Sequence, residues 1–142
     1  MYRSEAQTRT INAGVTGEPL AMDAPLPLQN VGFNGNNTIT ILCSGTYQLT
    51  FFGNFRFSTD TKLTFYVRAN GSTLNDTVVV KDVTANTMDS FERSVIVTLP
   101  ANTSLAAFVD NALAANGGQS GSLYIPPNGV HLAVVRIGEF RR

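Results

Sequence analysis

Few residues of this chain are able to do chemistry, and His131 is its only histidine. It lies in an alternating, largely apolar segment, VHLAVVRI over 130–137. Metal enzymes that use histidine need a cluster of ligands, commonly two or three imidazoles with a carboxylate. A single histidine cannot supply that set. The sequence therefore predicts no metal site, and it predicts a histidine that is packed in the core or placed at an interface.

The candidate nucleophiles also lack the partners that catalysis requires. Cys43 would need His131 beside it, and no basic residue next to it in sequence favours the thiolate. We predict a buried structural thiol. Ser44 and Ser120 stand beside glycines, but the Gly-x-Ser-x-Gly pattern of a nucleophile elbow is absent. Because no phosphate loop or dinucleotide fingerprint occurs either, the sequence predicts no enzyme and no cofactor.

Four aspartates fall near predicted turns and could in principle gather around calcium: Asp60, Asp82, Asp89 and Asp110. Their spacing does not match a calcium-binding loop, in which oxygen ligands recur at alternate positions. We predict that they are solvated turn residues.

Composition excludes several classes of partner. Only 14% of the 142 residues are charged, against about 25% in ordinary domains, and the formal net charge is zero. A neutral chain has no electrostatic footprint for nucleic acid or for an anionic membrane surface. The apolar runs are far shorter than the roughly 20 residues that span a bilayer, so no membrane insertion is expected. The first residues, MYRSE, lack the basic and then apolar pattern of a signal peptide.

The hydrophobic pattern predicts strands throughout. Residues 47–55 alternate, with Tyr47, Leu49 and Phe51 on the more apolar side. The next inward sets include Phe65 and Val67, followed by a second group, Val95, Val97 and Leu99. Short strands separated by turn signals every 8–15 residues are typical of a sandwich or barrel. We predict one all-β antiparallel domain over residues 17–142, preceded by a flexible lead-in over residues 1–16.

Two strands are apolar on both faces. The 130–137 segment carries apolar residues at odd and even positions, and Phe52 interrupts the polar side of the 47–55 strand. A sandwich strand that is buried on one side should alternate cleanly. A second apolar face needs a second cover, and another copy of the chain is the simplest one.

Four segments, in this order, resemble the tumour necrosis factor and complement globular-head superfamily. ILCSGTYQL (41–49) is similar to the signature in which a strand ends in a small turn and Gly-x-Tyr opens the next strand. LTFYVRANG (63–71), SVIVTL (94–99) and LAVVRI (132–137) keep the order of the later strands. Within this superfamily, the chain most resembles the C-terminal domains of bacterial collagen-like exosporium glycoproteins, which cover the spore surface.

The resemblance implies a ten-strand jelly roll that forms a homotrimer, with the tyrosine of Gly-x-Tyr turned inward. We expect the core of this fold to consist of Tyr47, Leu49, Phe51, Phe65, Val67, Val95, Val97 and Leu99. It also implies a trimer interface, for which we predict Gln48, Thr50, Phe52, Ile96 and Val134. If the last strand lines the threefold axis, three copies of Arg136 would meet there and would need Glu139, Glu92 or an anion as partners.

The sequence predicts a structural and recognition domain rather than an enzyme. The resemblance implies a trimerising globular head of a bacterial surface or spore-coat fibre, located outside the cell. The alternative is a carbohydrate- or receptor-binding knob of a bacterial or phage fibre, whose partner would be a surface glycan or a receptor. That alternative predicts exposed aromatic residues in loops, for which Tyr124 and Phe108 are the candidates.

Overall fold

A computed structural model describes residues 1–26, 31–35 and 37–138. Within them, strands dominate, and two 3₁₀ turns, Asn75–Thr77 and Ala114–Asn116, are the helical elements. The strands are β1 (Gln7–Ile11), β2 (Glu18–Pro19), β3 (Val31–Phe33), β4 (Ile39–Ile41), β5 (Gly45–Phe57), β6 (Thr61–Ala69), β7 (Ser72–Thr73), β8 (Val79–Val83), β9 (Asp89–Leu99), β10 (Ser104–Asn111), β11 (Gly121–Ile125) and β12 (Val130–Gly138).

Two antiparallel sheets pack face to face. In the first, which we call the front sheet, β5 pairs with β9 along one edge, and with β12 and then β11 along the other, while β1 pairs with β11. The second, the back sheet, has the order β3-β4-β10-β6, with β7 and β8 pairing with β6 and β2 with β10. The predicted all-β antiparallel sandwich is therefore confirmed.

Strict alternation builds the core between the sheets. The odd positions of β5 are fully buried from Tyr47 to Phe57, because successive side chains of a strand point to opposite faces. Aromatic rings from both sheets meet in the centre. The ring centroids of Phe65 and Phe91 are 4.3 Å apart, and those of Phe55 and Phe65 are 4.9 Å apart. Such contacts add to the stability that area burial already gives.

The N-terminal segment is more structured than the predicted lead-in. β1 pairs with β11 from Gln7↔Ile125 onward, and Met1 and Ile11 are buried. Gln7 is buried too, because its amide exchanges two hydrogen bonds with the backbone of Ala21. Because β1 is mostly polar, its sequence shows no apolar periodicity. Its partner strand, β11, lies more than a hundred residues away along the chain.

The proline-rich arm forms little regular strand. The described part of this segment, which contains Pro19 and Pro25, has only β2 at Glu18–Pro19 and an isolated bridge at Ala24. Pro27 and Leu28 lie outside the described residues. Asn70 and Gly71 both have positive φ and form the tight hairpin that joins β6 to β7.

Candidate assembly face

The outer surface of the front sheet is the candidate functional site. Its side chains come from β12, β5 and β9, whose registers place them in four cross-strand rows. We call these rows the assembly face; in order along the strands they are His131–Phe52–Glu92, Ala133–Thr50–Ser94, Val135–Gln48–Ile96 and Gly138–Thr46–Thr98.

Large apolar side chains stand in solvent on this face. Ile96 is 66% exposed and Val135 is 55% exposed, and they flank Gln48 on the neighbouring strands. Ile137, beside the last row, is 49% exposed. Among the four rows, Glu92 is the single charged side chain. Depletion of charge with apolar residues at the centre is the composition of an interface core.

The polar side chains of the face already bond to one another. The hydroxyl oxygens of Thr50 and Ser94 are 3.0 Å apart, and those of Thr46 and Thr98 are 3.3 Å apart. Gln48 Nε2 donates to Ser94 Oγ at 3.4 Å. Burying a polar group is costly mainly when its hydrogen bonds are lost. Because these groups keep partners within the chain, covering them with another surface costs less.

An aromatic stack occupies one end of the face. The ring of His131 lies between Tyr2 and Phe52, with centroid separations of 5.4 Å and 4.5 Å and interplanar angles of 22° to each. His131 Nε2 is 3.0 Å from the carbonyl oxygen of Asn128. We call Tyr2, His131 and Phe52 the ring stack. No group of three or more metal-ligating side chains occurs in the part of the chain that the structure describes.

Four of the five predicted interface residues project from this face. Gln48 and Ile96 are exposed, and Thr50 and Phe52 are half-buried. Val134 does not project from it. It pairs with Leu49 and packs against the core from the other side of β12, and the trimer interface itself stays a prediction. Both faces of the last strand are apolar, and the sequence therefore gives no sign of which residues point inward.

The residues predicted for the core lie between the sheets. Tyr47, Leu49, Phe51, Phe65, Val67 and Leu99 are buried, and Val95 and Val97 are half-buried and packed against them. The residues of this face that the sequence reasoning missed are Val135 and Ala133, whereas the prediction for His131 already included a place at an interface. The register of β12 against β5 puts all three on the face, and that register is a long-range pairing.

Cys43 is exposed rather than buried, which corrects the prediction of a structural thiol. It lies in the turn between β4 and β5, where its carbonyl accepts a hydrogen bond from the Tyr47 hydroxyl. His131 pairs with Phe52, seven residues along β5 from Gly45, which places it roughly 20 Å from that turn. Thiol and imidazole therefore lie far apart along the sheet.

Arg136 points away from the assembly face. It pairs with Tyr47, on the inward side, and its Nη2 donates to the carbonyl of Ser44 at 2.9 Å. A Cβ built on Gly45 would lie 2.7 Å from its Nε, so glycine leaves room for the guanidinium. The expected meeting of three arginines on an axis does not fit this geometry. Glu139 lies outside the described residues.

The remaining polar candidates have structural partners. Asp60 accepts from the Ala85 amide, while Asp82 and Asp89 form ion pairs with lysines. Asp110 differs from the predicted solvated turn residue, because it is half-buried in β10 and accepts from the Tyr66 hydroxyl at 2.7 Å. Burial of the phenol is the main cause that raises the pKa of Tyr66 to about 12, and the hydrogen bond to Asp110 acts in the same direction.

The two aromatic residues expected in exposed loops lie in strands instead. Tyr124 belongs to β11 and Phe108 to β10, and both are half-buried. Each is covered by a guanidinium: Arg56 lies 4.7 Å from the Tyr124 ring centroid, and Arg68 lies 4.6 Å from that of Phe108. Neither ring is presented as an open platform for a sugar.

The two-sheet architecture defines the class of fold as a jelly roll of the tumour necrosis factor type. Solved structures with this fold include Eiger TNF from S. frugiperda, with a TM-score of 0.62 and 12% identity, covering 99% of this chain and 96% of that one. Murine APRIL at pH 8.0 gives a TM-score of 0.60 with 14% identity, covering 94% of this chain and 100% of that one. At such identities the likeness shows the fold alone.

The sequence comparisons add no family name. No family model matches the chain, and no curated protein matches it. Within the described residues, no helix has the length and apolar character needed to cross a bilayer.

Proposed function

We propose that this chain is a non-catalytic recognition domain that assembles as a homotrimer through its assembly face. The observation that carries the proposal is the central row of that face, in which Ile96 and Val135 stand in solvent beside Gln48. Scattered exposed apolar residues are ordinary, but Ile96, Val135 and Ile137 gather on this one face, with only Gln48 between the first two. The tumour necrosis factor-type fold supports three copies as the stoichiometry, because the resemblance implies a trimer.

The assembled molecule would be the globular head of a surface fibre. The setting at a bacterial surface or spore coat, outside the cell, rests on the sequence resemblance of the segments 41–49, 63–71, 94–99 and 132–137. A receptor or surface glycan as the recognised partner remains the alternative reading of the same fold. The covered rings of Tyr124 and Phe108 give that alternative no specific support for glycan binding.

We propose the absence of a catalytic role because the candidate catalytic residues lie far from each other. Cys43 and His131, the two residues best suited to nucleophilic catalysis, lie far apart along the front sheet. A thiol becomes a competent nucleophile when a base lies within hydrogen-bond reach. Each residue instead serves a local contact, Cys43 through its carbonyl and His131 through the ring stack.

A matched pair of substitutions tests the assembly. Val135 and Val80 are both 55% exposed and both lie in strands, but Val80 belongs to β8 of the back sheet. Val135→Asp would place a charge in the centre of the buried surface, where an unpaired ion costs several kcal/mol per copy. Val80→Asp would leave its charge in water.

Light scattering on a sizing column measures the result. We expect the parent chain and Val80→Asp to have about three times the 15.3 kDa mass of one chain, and Val135→Asp to run as a folded monomer. A monomeric parent chain would refute the trimer. A trimer that both substitutions leave intact would show that the copies meet through another surface.

A further inference from the structure

Arg68 lies over two aromatic rings on the outer surface of the back sheet. Its guanidinium carbon is 4.6 Å from the ring centroid of Phe108 and 5.3 Å from that of Tyr66. The two rings stack on each other with centroids 5.9 Å apart, because Phe108 of β10 pairs with Tyr66 of β6. Arg68 Nη2 also donates to the Tyr66 hydroxyl at 3.2 Å. Stacking and this hydrogen bond together fix the position of the guanidinium.

The charge of Arg68 has no carboxylate within ion-pair distance in the part of the chain that the structure describes. Other cations do have one: Arg3 pairs with Asp23, and Arg9 pairs with Glu18. Arg68 is half-buried, yet its Nε and Nη1 have no hydrogen-bond partner among the described residues and remain in contact with solvent. Since a guanidinium carries five N–H donors, most of them are left for a group from outside the chain.

Asp110 is the acidic residue nearest to Arg68 in the register of this surface, and it is held at a distance. The Tyr66 hydroxyl stands between them, because it accepts from Arg68 Nη2 and donates to Asp110 Oδ1 at 2.7 Å. The Gly17 amide donates to the same carboxylate oxygen, also at 2.7 Å. These two bonds keep Asp110 in place, so it does not neutralise the guanidinium by direct contact.

The side chains next to Arg68 on this surface are uncharged. Ala106 pairs with Arg68, and Phe108 lies between Tyr66 and Pro19 in the neighbouring row. We call these five residues the docking patch. Arginine and tyrosine are among the residues that carry most of the binding energy in protein interfaces, where a surrounding ring of contacts excludes water.

We propose that the docking patch binds a protein partner through an aspartate or glutamate of that partner, whose carboxylate is received by the open edge of the Arg68 guanidinium. The inference deepens the proposed recognition role by naming the chemistry of the partner. It does not depend on the number of copies, because the docking patch lies on the back sheet and the assembly face on the front sheet.

The physical reason is that Arg68 is ordered before the partner arrives. An ion pair at a protein surface usually contributes little, partly because two long side chains lose their freedom when it forms. Arg68 has already lost much of that freedom to the rings and to the Tyr66 hydroxyl. Its planar guanidinium matches a carboxylate with two parallel hydrogen bonds. Charge complementarity therefore selects an acidic side chain over a neutral or basic one.

A protein fits this patch better than a sugar does. A sugar would stack on an open ring face, but the guanidinium of Arg68 already lies over the rings of Tyr66 and Phe108. The apolar surfaces of Pro19 and Ala106 beside it are suited to contact with side chains of a partner and to the exclusion of water from the ion pair.

A peptide display experiment tests the proposal. A library of random short peptides is selected against the folded parent chain, and the selected peptides are synthesised. Their dissociation constants are then measured by fluorescence anisotropy for the parent, Arg68→Gln and Arg56→Gln. Arg56 is the matched control, because it also lies over a tyrosine ring, at 4.7 Å from the Tyr124 centroid, but belongs to the front sheet. Far-UV circular dichroism verifies that each variant is folded.

A second variant, Ala106→Glu, tests the same contact without removing the arginine. It would place a carboxylate directly across from Arg68 on the neighbouring strand, where opposite charges attract. The chain would then satisfy the guanidinium itself, and an acidic peptide should no longer bind.

We expect the selected peptides to share an aspartate or glutamate. Replacing it with the corresponding amide and introducing Arg68→Gln should each weaken binding by roughly tenfold to a hundredfold, as the loss of a hydrogen bond between charged groups does. The two changes together should weaken binding little more than either alone, because they remove the same contact. Arg56→Gln should bind as the parent does, and Ala106→Glu should lose binding.

Several results would overturn the inference. They are a library that yields no binder, binders without a shared acidic residue, and binders that Arg68→Gln and Ala106→Glu leave unaffected. A change in the mass of Arg68→Gln by light scattering would show that a second copy of the chain occupies the docking patch, which would also overturn it. A monomeric parent chain that still binds acidic peptides through Arg68 would refute the proposed homotrimer and support the docking patch.

Discussion

Asn111 anchors a buried polar network whose loss should be measurable as stability. Its side chain is almost fully buried in β10 and uses all the hydrogen bonds that its surroundings offer. Nδ2 donates to the carbonyls of Ile11, at 3.2 Å, and Gln119, at 2.8 Å. Oδ1 accepts from Thr61 Oγ1 at 2.7 Å. One amide on β10 thus ties together β1 of the front sheet, the neighbouring strand β6 and the loop before β11.

The substitution Asn111→Leu keeps the volume of the side chain and removes these three hydrogen bonds. A typical intramolecular hydrogen bond contributes about 1 kcal/mol net, and a buried group left without a partner costs about 1–3 kcal/mol. Two carbonyls and one hydroxyl lose a partner, although Thr61 Oγ1 still accepts from the Gln119 amide. We expect the free energy of unfolding to fall by about 3 kcal/mol.

Urea unfolding followed by far-UV circular dichroism provides the measurement, at one fixed protein concentration because assembly would add to apparent stability. Asn116→Leu is the control: Asn116 is an exposed asparagine of a 3₁₀ turn and should change stability by less than about 0.5 kcal/mol. If Asn111→Leu costs no more than the control, water or backbone movement satisfies the three groups, and the network does not hold β1 in place.

Two further substitutions or modifications test the packing and the N-terminus. Gly53→Ala should lower stability by about 1–3 kcal/mol in thermal unfolding, because its Cβ would lie 2.8 Å from the Phe91 ring and force the central aromatic cluster to move; an unchanged midpoint would show that the ring has room. Burial lowers the pKa of the Met1 ammonium from 8.0 to about 6. The unfolded chain therefore binds more protons between these values, and a preparation beginning at Met1 should gain stability as the pH rises from about 6 to 8. Acetylation of that amine should abolish the gain, and a gain that survives it would have another source.

Local alternation predicts the centre of this molecule well. Residues 47–55 of β5 alternate between an apolar side and a polar side that Phe52 alone interrupts, and the sequence therefore places Tyr47 in the core and Gln48 on the opposite face. β12 has no such asymmetry, so its sequence does not distinguish Val134, which packs against the core, from Val135, which lies beside Gln48. In a strand with apolar residues on both sides, only the pairing partner decides direction, and here that partner is Leu49 or Gln48 of β5.

Long-range strand pairing also explains the other differences between the predictions from sequence and the structure. The polar N-terminal segment becomes a strand because β11, at the far end of the chain, supplies its partner. Because a free thiol is hydrophobic, burial is expected for Cys43. The residue instead lies in the turn between β4 and β5, where it is exposed to solvent. In both cases the residue type favours one environment, and the connection of the strands imposes another.

The assembly face reconciles two demands that usually conflict. A surface that is permanently hidden tends to be as apolar as a core, whereas Thr50 and Ser94 keep polar groups in the centre of this one and satisfy them within the chain. Such a face is tolerable in water and inexpensive to cover.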